Sequence, residues 1–505
     1  MIDVYTGTEV RAAERPLLDA GQGPALMKRA AHGLAQHIAG VLRGRRGRVY
    51  GSRVVAFVGT GNNGGDGLHA LAMLRRRGVA VTAIQTADRC HAEGLAAFQA
   101  AGGRLVPWEG SLASPPARSA LATADVVVDA VLGTGAQVPE PGDGGADAPR
   151  PAPLSDVELP PRAYVVACDL PSGVDADTGA ALPGTLRADS TVTFGALKTG
   201  LVVGRGATLS GRVEVVDIGL GEHLGTAAVR LFEPDDAVDT APARDAHKYS
   251  RGVLGLIAGS DEYPGAAVLA ATSAVNAGLG MLYTVTTGRA RDAVTAAVPE
   301  SVVLEGSALE EDQGPAGRVS AWAVGPGIGD AAQQSEAVAA VLASASERGT
   351  PCVVDASTLK SLKPGQTRSD APFAVLTPHA GELRGLLINA GVDVSGDAVA
   401  HDPVKWALRA ARDYGAVVLL KGATTVCATP TGEILMVTGA PPTLATAGSG
   451  DVLTGLLGQM LATVRPTAVS QLLVCAASAA SRHAAIARSL GTHGFGASRL
   501  AASIE

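Results

Sequence analysis

Four segments place acids and small residues where chemistry can happen. Gly59-Thr-Gly-Asn-Asn-Gly-Gly-Asp-Gly67 combines glycines, amides and a carboxylate in one short run. Asp129-Ala-Val-Leu-Gly-Thr-Gly135 and Asp169-Leu-Pro-Ser-Gly173 each put an acid ahead of glycines. Far along the chain, Ala447-Gly-Ser-Gly-Asp451 repeats the glycine–acid pairing. Glycine lets backbone amides approach a ligand closely, and a helix start aims unpaired N–H groups and a positive dipole end at anions. Two such glycine loops this far apart predict two phosphate-handling sites, and hence two enzyme domains in one chain.

The individual residues suggest roles. Asn63, Asp129 and Ser172 could offer oxygen ligands, and an oxygen-only set suits a hard cation. Asp169 could act as a general base or acid, or serve as a turn carboxylate before Pro171. Asp451 stands where it could take a proton from an attacking hydroxyl, while amides at the helix start form an anion hole. It could also be an ordinary first-turn acid favoured by the helix dipole. Thr377-Pro-His-Ala-Gly-Glu382 and Lys421-Gly-Ala-Thr-Thr425 each follow an apolar run, as do Gly325-Pro-Gly-Ile-Gly329 and Gly259 to Ala266. In that company His379 is a plausible substrate contact, although a lone histidine is more often structural. Gly59, Gly61 and Gly64 match G-x-G-x-x-G formally, but Gln85-Thr-Ala stands where a ribose-binding acid belongs. No Lys-Ser/Thr pair follows, so this is not a Walker loop.

These residues need elements to hold them. Val54–Val58, Val79–Ile84, Asp125–Asp129 and Tyr164–Cys168 are apolar runs of strand length, and Leu68–Arg77 reads as a helix. Continuous rather than alternating apolar runs predict strands covered on both faces, as in a parallel sheet. Residues 139–161 are rich in Pro, Gly, Asp and Ala and read as a surface loop. Gly211–Ile218 looks like a last strand, so a first domain ends near Gly221. Residues 234–245 read as a linker. A second α/β series runs through Gly252–Ala258, a helix at Ala266–Ala277, then Leu282–Thr286, Trp322–Val324, Cys352–Asp355, Phe373–Leu376 and Ala416–Leu420. The expected domains are 1–221 and 235–505, both α/β.

Composition agrees with a two-domain globular chain. Its 505 residues exceed one ordinary core. Hydrophobic content is 47% and aromatic content only 3%, which favours closely packed helices on sheets. A net charge of −7 supplies no global basic field for nucleic acid or an anionic membrane. The run Arg43-Gly-Arg-Arg-Gly-Arg48 reads as a solvated turn. The five cysteines are scattered without a CxxC pair, which predicts reduced thiols rather than a metal or disulfide framework. Met1-Ile-Asp-Val-Tyr-Thr-Gly7 lacks a basic and an apolar leader region, so a cytoplasmic location is expected.

Asn62 to Asp66, Asp129 with Gly133-Thr-Gly135, and Asp169-Leu-Pro-Ser-Gly173 together resemble the NAD(P)H-hydrate epimerase domain, over about residues 1 to 220. The resemblance implies a Rossmann-like three-layer fold. It implies that Asn62, Asn63, Gly64, Gly65, Asp66, Gly133, Thr134, Gly135, Ala136, Gln137 and Asp169 hold the hydrate. It implies potassium on Asn63, Asp129 and Ser172, with Asp169 as the catalytic acid/base.

The second set, in the order Gly259-Ser, Tyr263-Pro-Gly-Ala266, Gly325-Pro-Gly327, Thr377-Pro-His-Ala-Gly-Glu382, Lys421-Gly-Ala-Thr and Ala447-Gly-Ser-Gly-Asp451, resembles the ribokinase-like superfamily. Within it the NAD(P)H-hydrate dehydratase branch is the nearest match, over about residues 235 to 505. That implies hydrate contacts at Ala266, Gly327, His379 and Asp451. It implies nucleotide contacts at Lys421, Gly422, Ala423, Thr424, Thr425 and Gly450. Asp451 becomes the base, ADP the co-substrate and Mg²⁺ the counter-ion. The joint expectation is repair of hydrated NADH and NADPH, by epimerisation and then dehydration, in a homo-oligomer. The alternative is a ribokinase-like small-molecule kinase with an accessory binding domain.

Overall fold

The structure, a computed structural model, describes residues 1–108, 114–140, 152–304, 315–329, 332–366 and 373–504. It forms two compact units. One holds residues 3–227 with 400–402, and the other holds 1–2, 228–399 and 403–505.

The first unit carries β1 (Ile2–Tyr5), β2 (Arg53–Val58), β3 (Ala80–Gln85), β4 (Arg104–Pro107), β5 (Val126–Ala130), β6 (Tyr164–Cys168), β7 (Ser190–Phe194), β8 (Leu197–Lys198) and β9 (Arg212–Val216). Seven of these form a sheet in the order β4-β3-β2-β5-β6-β7-β9, with every pairing parallel. β1 pairs with β8, also in parallel.

Side chains alternate across a strand, so each strand feeds two cores. Val54, Ala56, Val58, Val126 and Val128 pack with Val10, Leu34, Ile38, Leu68 and Leu71 of the helices α1 (Gly7–Asp19), α2 (Gly23–Arg46) and α3 (Asn62–Arg76). Val55, Phe57 and Val127 face the other way, onto Ala117, Leu121 and Leu154. Helix on both faces of a parallel sheet is the expected three-layer arrangement. Strand order reverses between β2 and β5, and an open α/β sheet binds ligands at the carboxyl ends beside such a switch point.

The second unit carries β10 (Val229–Leu231), β11 (Val253–Ile257), β12 (Met281–Val285), β13 (Ser301–Leu304), β14 (Ala321–Val324), β15 (Cys352–Val354), β16 (Ala374–Leu376), β17 (Val417–Leu420), β18 (Thr425–Ala428) and β19 (Ile434–Val437). Their order is β13-β12-β11-β14-β15-β16-β17-β18-β19-β10. Pairing is parallel from β13 to β17, then antiparallel through the β17-β18-β19 meander, then parallel at β10. Helices Pro264–Asn276, Ser449–Val464 and Val469–Ser489 share its core. Small residues bring them close: a methyl group on Gly455 would lie 2.1 Å from the Ala270 carbonyl oxygen. That is how a chain so poor in aromatics fills its interior.

Several expectations need correction. The glycine run is not all loop, because α3 already begins at Asn62. Glycine's weak helix propensity hides this in sequence; Gly64 is required there because a methyl group would lie 2.2 Å from the Gly59 carbonyl oxygen. The arginine run is the last turn of α2, ended by Gly47 at φ +69°, where positive charge favours the helix dipole. The stretch 234–245 is not an inter-domain linker, because β10 before it already pairs with β19. Its prolines and charges mark a surface segment instead. Residues 141–151 of the expected 139–161 loop lie outside the described residues. All five cysteines are free, and four are buried. Among the described residues no helix is long and apolar enough to cross a membrane.

Candidate active sites

In the first unit a cleft of about 980 Å³ opens at the carboxyl ends of β2, β5, β6 and β7. Among its lining residues are Asn62, Asn63, Asp66, Gly133, Thr134, Gly135, Ala136 and Asp169, which converge from three separate segments. Gly64, Gly65 and Gln137 are not among the lining residues. Gly65 instead admits a neighbour, since a methyl group there would lie 2.9 Å from the His91 ring. α3 starts at this cleft with Gly61 as its N-cap and no side-chain cap, so its first amides stay available to a ligand.

Asp169 follows β6 directly and adopts φ +67°, a left-handed conformation rare outside glycine. Such backbone costs about 1–3 kcal/mol and persists where surroundings over-determine it. Its own N–H donates to the Val192 carbonyl at 2.8 Å. Its carboxylate accepts from Thr193 Oγ1 at 3.0 Å and from Lys198 Nζ at 2.8 Å. Lys198 is only 1% exposed, and its ammonium also donates to Thr193 Oγ1 and to the Phe194 carbonyl. The Asp169–Lys198 pair is therefore buried and multiply hydrogen-bonded.

Two more carboxyls line the cleft. Burial, then the nearby Asp169 and Glu14 charges, push Asp66 well above the usual carboxylate range. Burial also raises Glu14, against the opposing charge of Lys198. Asp129, at the end of β5, is raised by burial as well, though hydrogen bonds from Ser172 oppose the shift. The Ser172 hydroxyl and N–H both donate to Asp129, and the Ser172 oxygen accepts from the Leu132 N–H at 2.9 Å. The Asn63 amide donates to the Leu132 carbonyl at 2.9 Å. Asn63 Oδ1 is buried with no hydrogen-bond partner. Asn63, Asp129, Ser172 and the Leu132 carbonyl thus form one oxygen-rich cluster with an acceptor to spare.

In the second unit Asp451 lies in the first turn of helix Ser449–Val464, whose N-cap Gly448 has φ +87° and offers no side-chain cap. Burial raises Asp451 to about 7, Asp355 adds to the rise, and Lys421 opposes it. Asp355 follows β15 and is 2% exposed. It accepts from Lys421 Nζ at 2.9 Å and from Thr454 Oγ1 at 2.7 Å. Glu382 lies 3.8 Å from the same ammonium. Gly450 sits over this group: a methyl group there would lie 3.4 Å from Lys421 Nζ. Lys421, Asp355, Gly450 and Asp451 therefore meet around one helix start.

The other expected contacts are placed as follows. A methyl group on Gly327 would lie 2.6 Å from the Ala266 Cβ, so those two adjoin. His379 caps helix Ala380–Asn389: its Nδ1 accepts from the N–H groups of Gly381 and Glu382, while the Glu382 carboxylate accepts from the His379 N–H at 2.9 Å. Its side chain is 61% exposed. Gly422 and Ala423 are exposed at the turn between β17 and β18, while Thr424 and Thr425 are buried. His483 is buried and pushed down to about 4 by burial, and His493 is exposed.

Sequence reasoning missed Glu14, Lys198, Asp355 and Thr454. Asp355 had a signal, because Cys352-Val-Val-Asp355 ends an apolar run with an acid, as at Asp129. Lys198 had a weaker one, a lone lysine in the apolar Phe194-Gly-Ala-Leu-Lys198. Glu14 and Thr454 had none, since each looks like an ordinary helical residue.

Known proteins are similar to this chain in sequence. A family model described as NAD(P)H-hydrate dehydratase matches residues 254–504, and one described as YjeF-related protein N-terminus matches residues 23–200. The Bifunctional NAD(P)H-hydrate repair enzyme Nnr of Mycobacterium tuberculosis is 41% identical over 471 residues, covering 92% of this chain and 90% of its own. The protein of that name from Moorella thermoacetica is 35% identical, covering 82% of this chain and 79% of its own. A solved structure, ADP/ATP-dependent NAD(P)H-hydrate dehydratase from Bacillus subtilis co-crystallised with ATP/Mg²⁺, is 26% identical. It covers 55% of this chain and 96% of that chain, with a TM-score of 0.46. With that identity to the mycobacterial relative and a match in each half, the chain belongs to the bifunctional NAD(P)H-hydrate repair enzyme family.

Proposed function

We propose that this chain repairs hydrated NADH and NADPH in two steps. The first unit interconverts the R and S hydrates, and the second dehydrates the S form at the expense of ADP. The observation that carries the reading is Asp451, a carboxyl raised to about 7 at an uncapped helix start beside Lys421. A general base works best with a pKa near the operating pH. Uncapped amides at a helix start, with a lysine beside them, suit a phosphoryl group in transit.

In the second unit Asp451 takes the proton of the ring hydroxyl. The hydroxyl oxygen then attacks the terminal phosphorus of ADP, and AMP leaves. Loss of phosphate together with a proton from the adjoining ring carbon restores the double bond. Ala266, Gly327 and His379 would orient the hydrate. Lys421, Gly422, Ala423, Thr424, Thr425 and Gly450 would hold the nucleotide. Mg²⁺ would enter on the nucleotide phosphates and offset their charge.

In the first unit Asp169, held by the Lys198 ammonium and the Thr193 hydroxyl, is the base. Asn62, Asn63, Asp66, Gly133, Thr134, Gly135 and Ala136, which line the cleft, would hold the hydrate. Asn63, Asp129, Ser172 and the Leu132 carbonyl would hold potassium. The unpartnered Asn63 Oδ1 fits this, because a buried acceptor without a donor is costly and a cation relieves it. The ion would neutralise Asp129 and order the loops after β5 and β6. The testing experiment supplies pure S hydrate with ADP to the chain and to Asp451→Asn. Regain of reduced-nicotinamide absorbance by the parent alone supports the base assignment, and equal regain by both overturns it.

A further inference from the structure

Asp66 has no place yet in the chemistry. It is 8% exposed, it lines the cleft that also holds Asp169 and Lys198, and its Oδ1 has no hydrogen-bond partner. It stands on the first turns of α3, on a different element from Asp169. Glu14, from α1, lines the same cleft. A carboxylate left ionised in such a place, next to two other acids and without a donor, would carry a large desolvation cost. A protonated carboxyl avoids that cost and has a proton to give. Asp169 is the opposite case, with an ammonium and a hydroxyl donating to it. Two carboxyls in such different surroundings, one without a donor and one with two, suit an acid and a base.

We propose that Asp66 is the proton donor of the epimerisation, paired with Asp169 as base, and that the hydrate ring opens to an aldehyde between them. This rests on the epimerase reading of the first unit. Water adds to the dihydronicotinamide enamine at the carbon beside the ring nitrogen, so the epimeric carbon bears both a hydroxyl and that nitrogen. Asp169 takes the hydroxyl proton, a carbon–oxygen double bond forms, and the bond from that carbon to the nitrogen breaks. The electron pair passes to the nitrogen, which takes the Asp66 proton. Rotation about the neighbouring carbon–carbon bond offers the other face of the aldehyde. Reclosure reverses both transfers, so each carboxyl ends as it began. Expelling the hydroxyl as water instead would leave Asp66 ionised in a buried site, waiting on solvent for its proton. Ring opening closes the proton cycle within one turnover.

The experiment supplies one pure epimer to the full-length chain in ¹⁸O-water, without nucleotide, and follows epimer composition by chromatography and oxygen mass by mass spectrometry. Spontaneous exchange is subtracted from an enzyme-free control. The expected result is interconversion with the original oxygen retained. Asp66→Asn is expected to lower kcat about 10²-fold or more, with KM within about threefold. Asp66→Glu, which keeps the acid, is expected to recover part of the loss. Circular dichroism and thermal melts check that each variant is folded. Oxygen exchanged at every turnover overturns the ring-opening step. A near-parental kcat in Asp66→Asn, or a loss confined to KM, overturns the donor role. A parental chain that interconverts nothing overturns the epimerase reading itself, an outcome distinct from either.

Discussion

Lys198 Nζ lies 2.8 Å from Asp169 Oδ1, and the lysine is almost wholly enclosed at 1% exposure. This enclosed ammonium fixes the position of the Asp169 carboxylate at a strand end whose backbone is already left-handed. Removing one partner of a buried pair leaves the other uncompensated and costs about 3–5 kcal/mol. Lys198→Met is therefore expected to destabilise the first unit by that amount in urea unfolding. It is expected to lower epimerisation at least about tenfold, because Asp169 loses the donor that positions its carboxylate. Unchanged epimerisation in a folded Lys198→Met chain contradicts the role given to the pair.

As the proposed base, Asp451 is expected to set the pH profile of dehydration. Its folded value is about 7. As a base it must be ionised, so kcat/KM for the S hydrate is expected to rise with pH and level off above about 7. The Lys421 charge holds that value down from where burial and Asp355 would put it. Lys421→Met is thus expected to move the rise to higher pH, as well as weaken nucleotide binding. A rise that stays in place after this substitution separates the two residues.

The same raised value links Asp451 to stability. Between its ordinary value of 3.8 and about 7 the folded chain binds more protons there than the unfolded chain does. Stability from this group is complete below the lower value and is lost as pH climbs through the upper one. Asp451→Asn is expected to flatten that decline and to stabilise the second unit at pH 8 by ~1–3 kcal/mol. Denaturant melts at pH 4 and pH 8 read the difference directly.

Potassium is expected to bind the first unit through Asn63, Asp129 and Ser172. A ligand that binds only the folded state raises stability with its concentration. Raising KCl at constant ionic strength, against lithium chloride, should therefore raise the melting temperature of the first unit. Asn63→Ala should abolish the response. An equal response to both salts removes the potassium assignment.

The sequence made the strand ends legible for a physical reason. Doubly covered parallel strands are short, apolar and continuous, so the acid that ends each one stands out, as Asp129 and Asp169 do. The amphipathic and glycine-containing pieces were harder. Gly64 and Gly65 look like loop, yet they are helical because the first turns of α3 press on Gly59 and His91. β10 is three residues long, and only its pairing with β19 shows that the second unit starts before the polar stretch 234–245. The partners of the acids at the two sites were least legible. Glu14 and Lys198 reach Asp169's cleft from distant positions, and Thr454 reaches Asp355 across 99 residues of sequence. Such convergence is a property of the fold, not of local spacing.

Epimerisation and dehydration are chemically linked, so one assay can read both. The most direct measurement supplies an equal mixture of the R and S hydrates with ADP, and separately with ATP, in Mg²⁺ and K⁺. Recovery of reduced-nicotinamide absorbance is then followed to its end point. Complete recovery with ADP is expected, faster than uncatalysed epimerisation allows. Recovery that stops at the S half, or a stable phosphorylated hydrate in place of the restored ring, would contradict it.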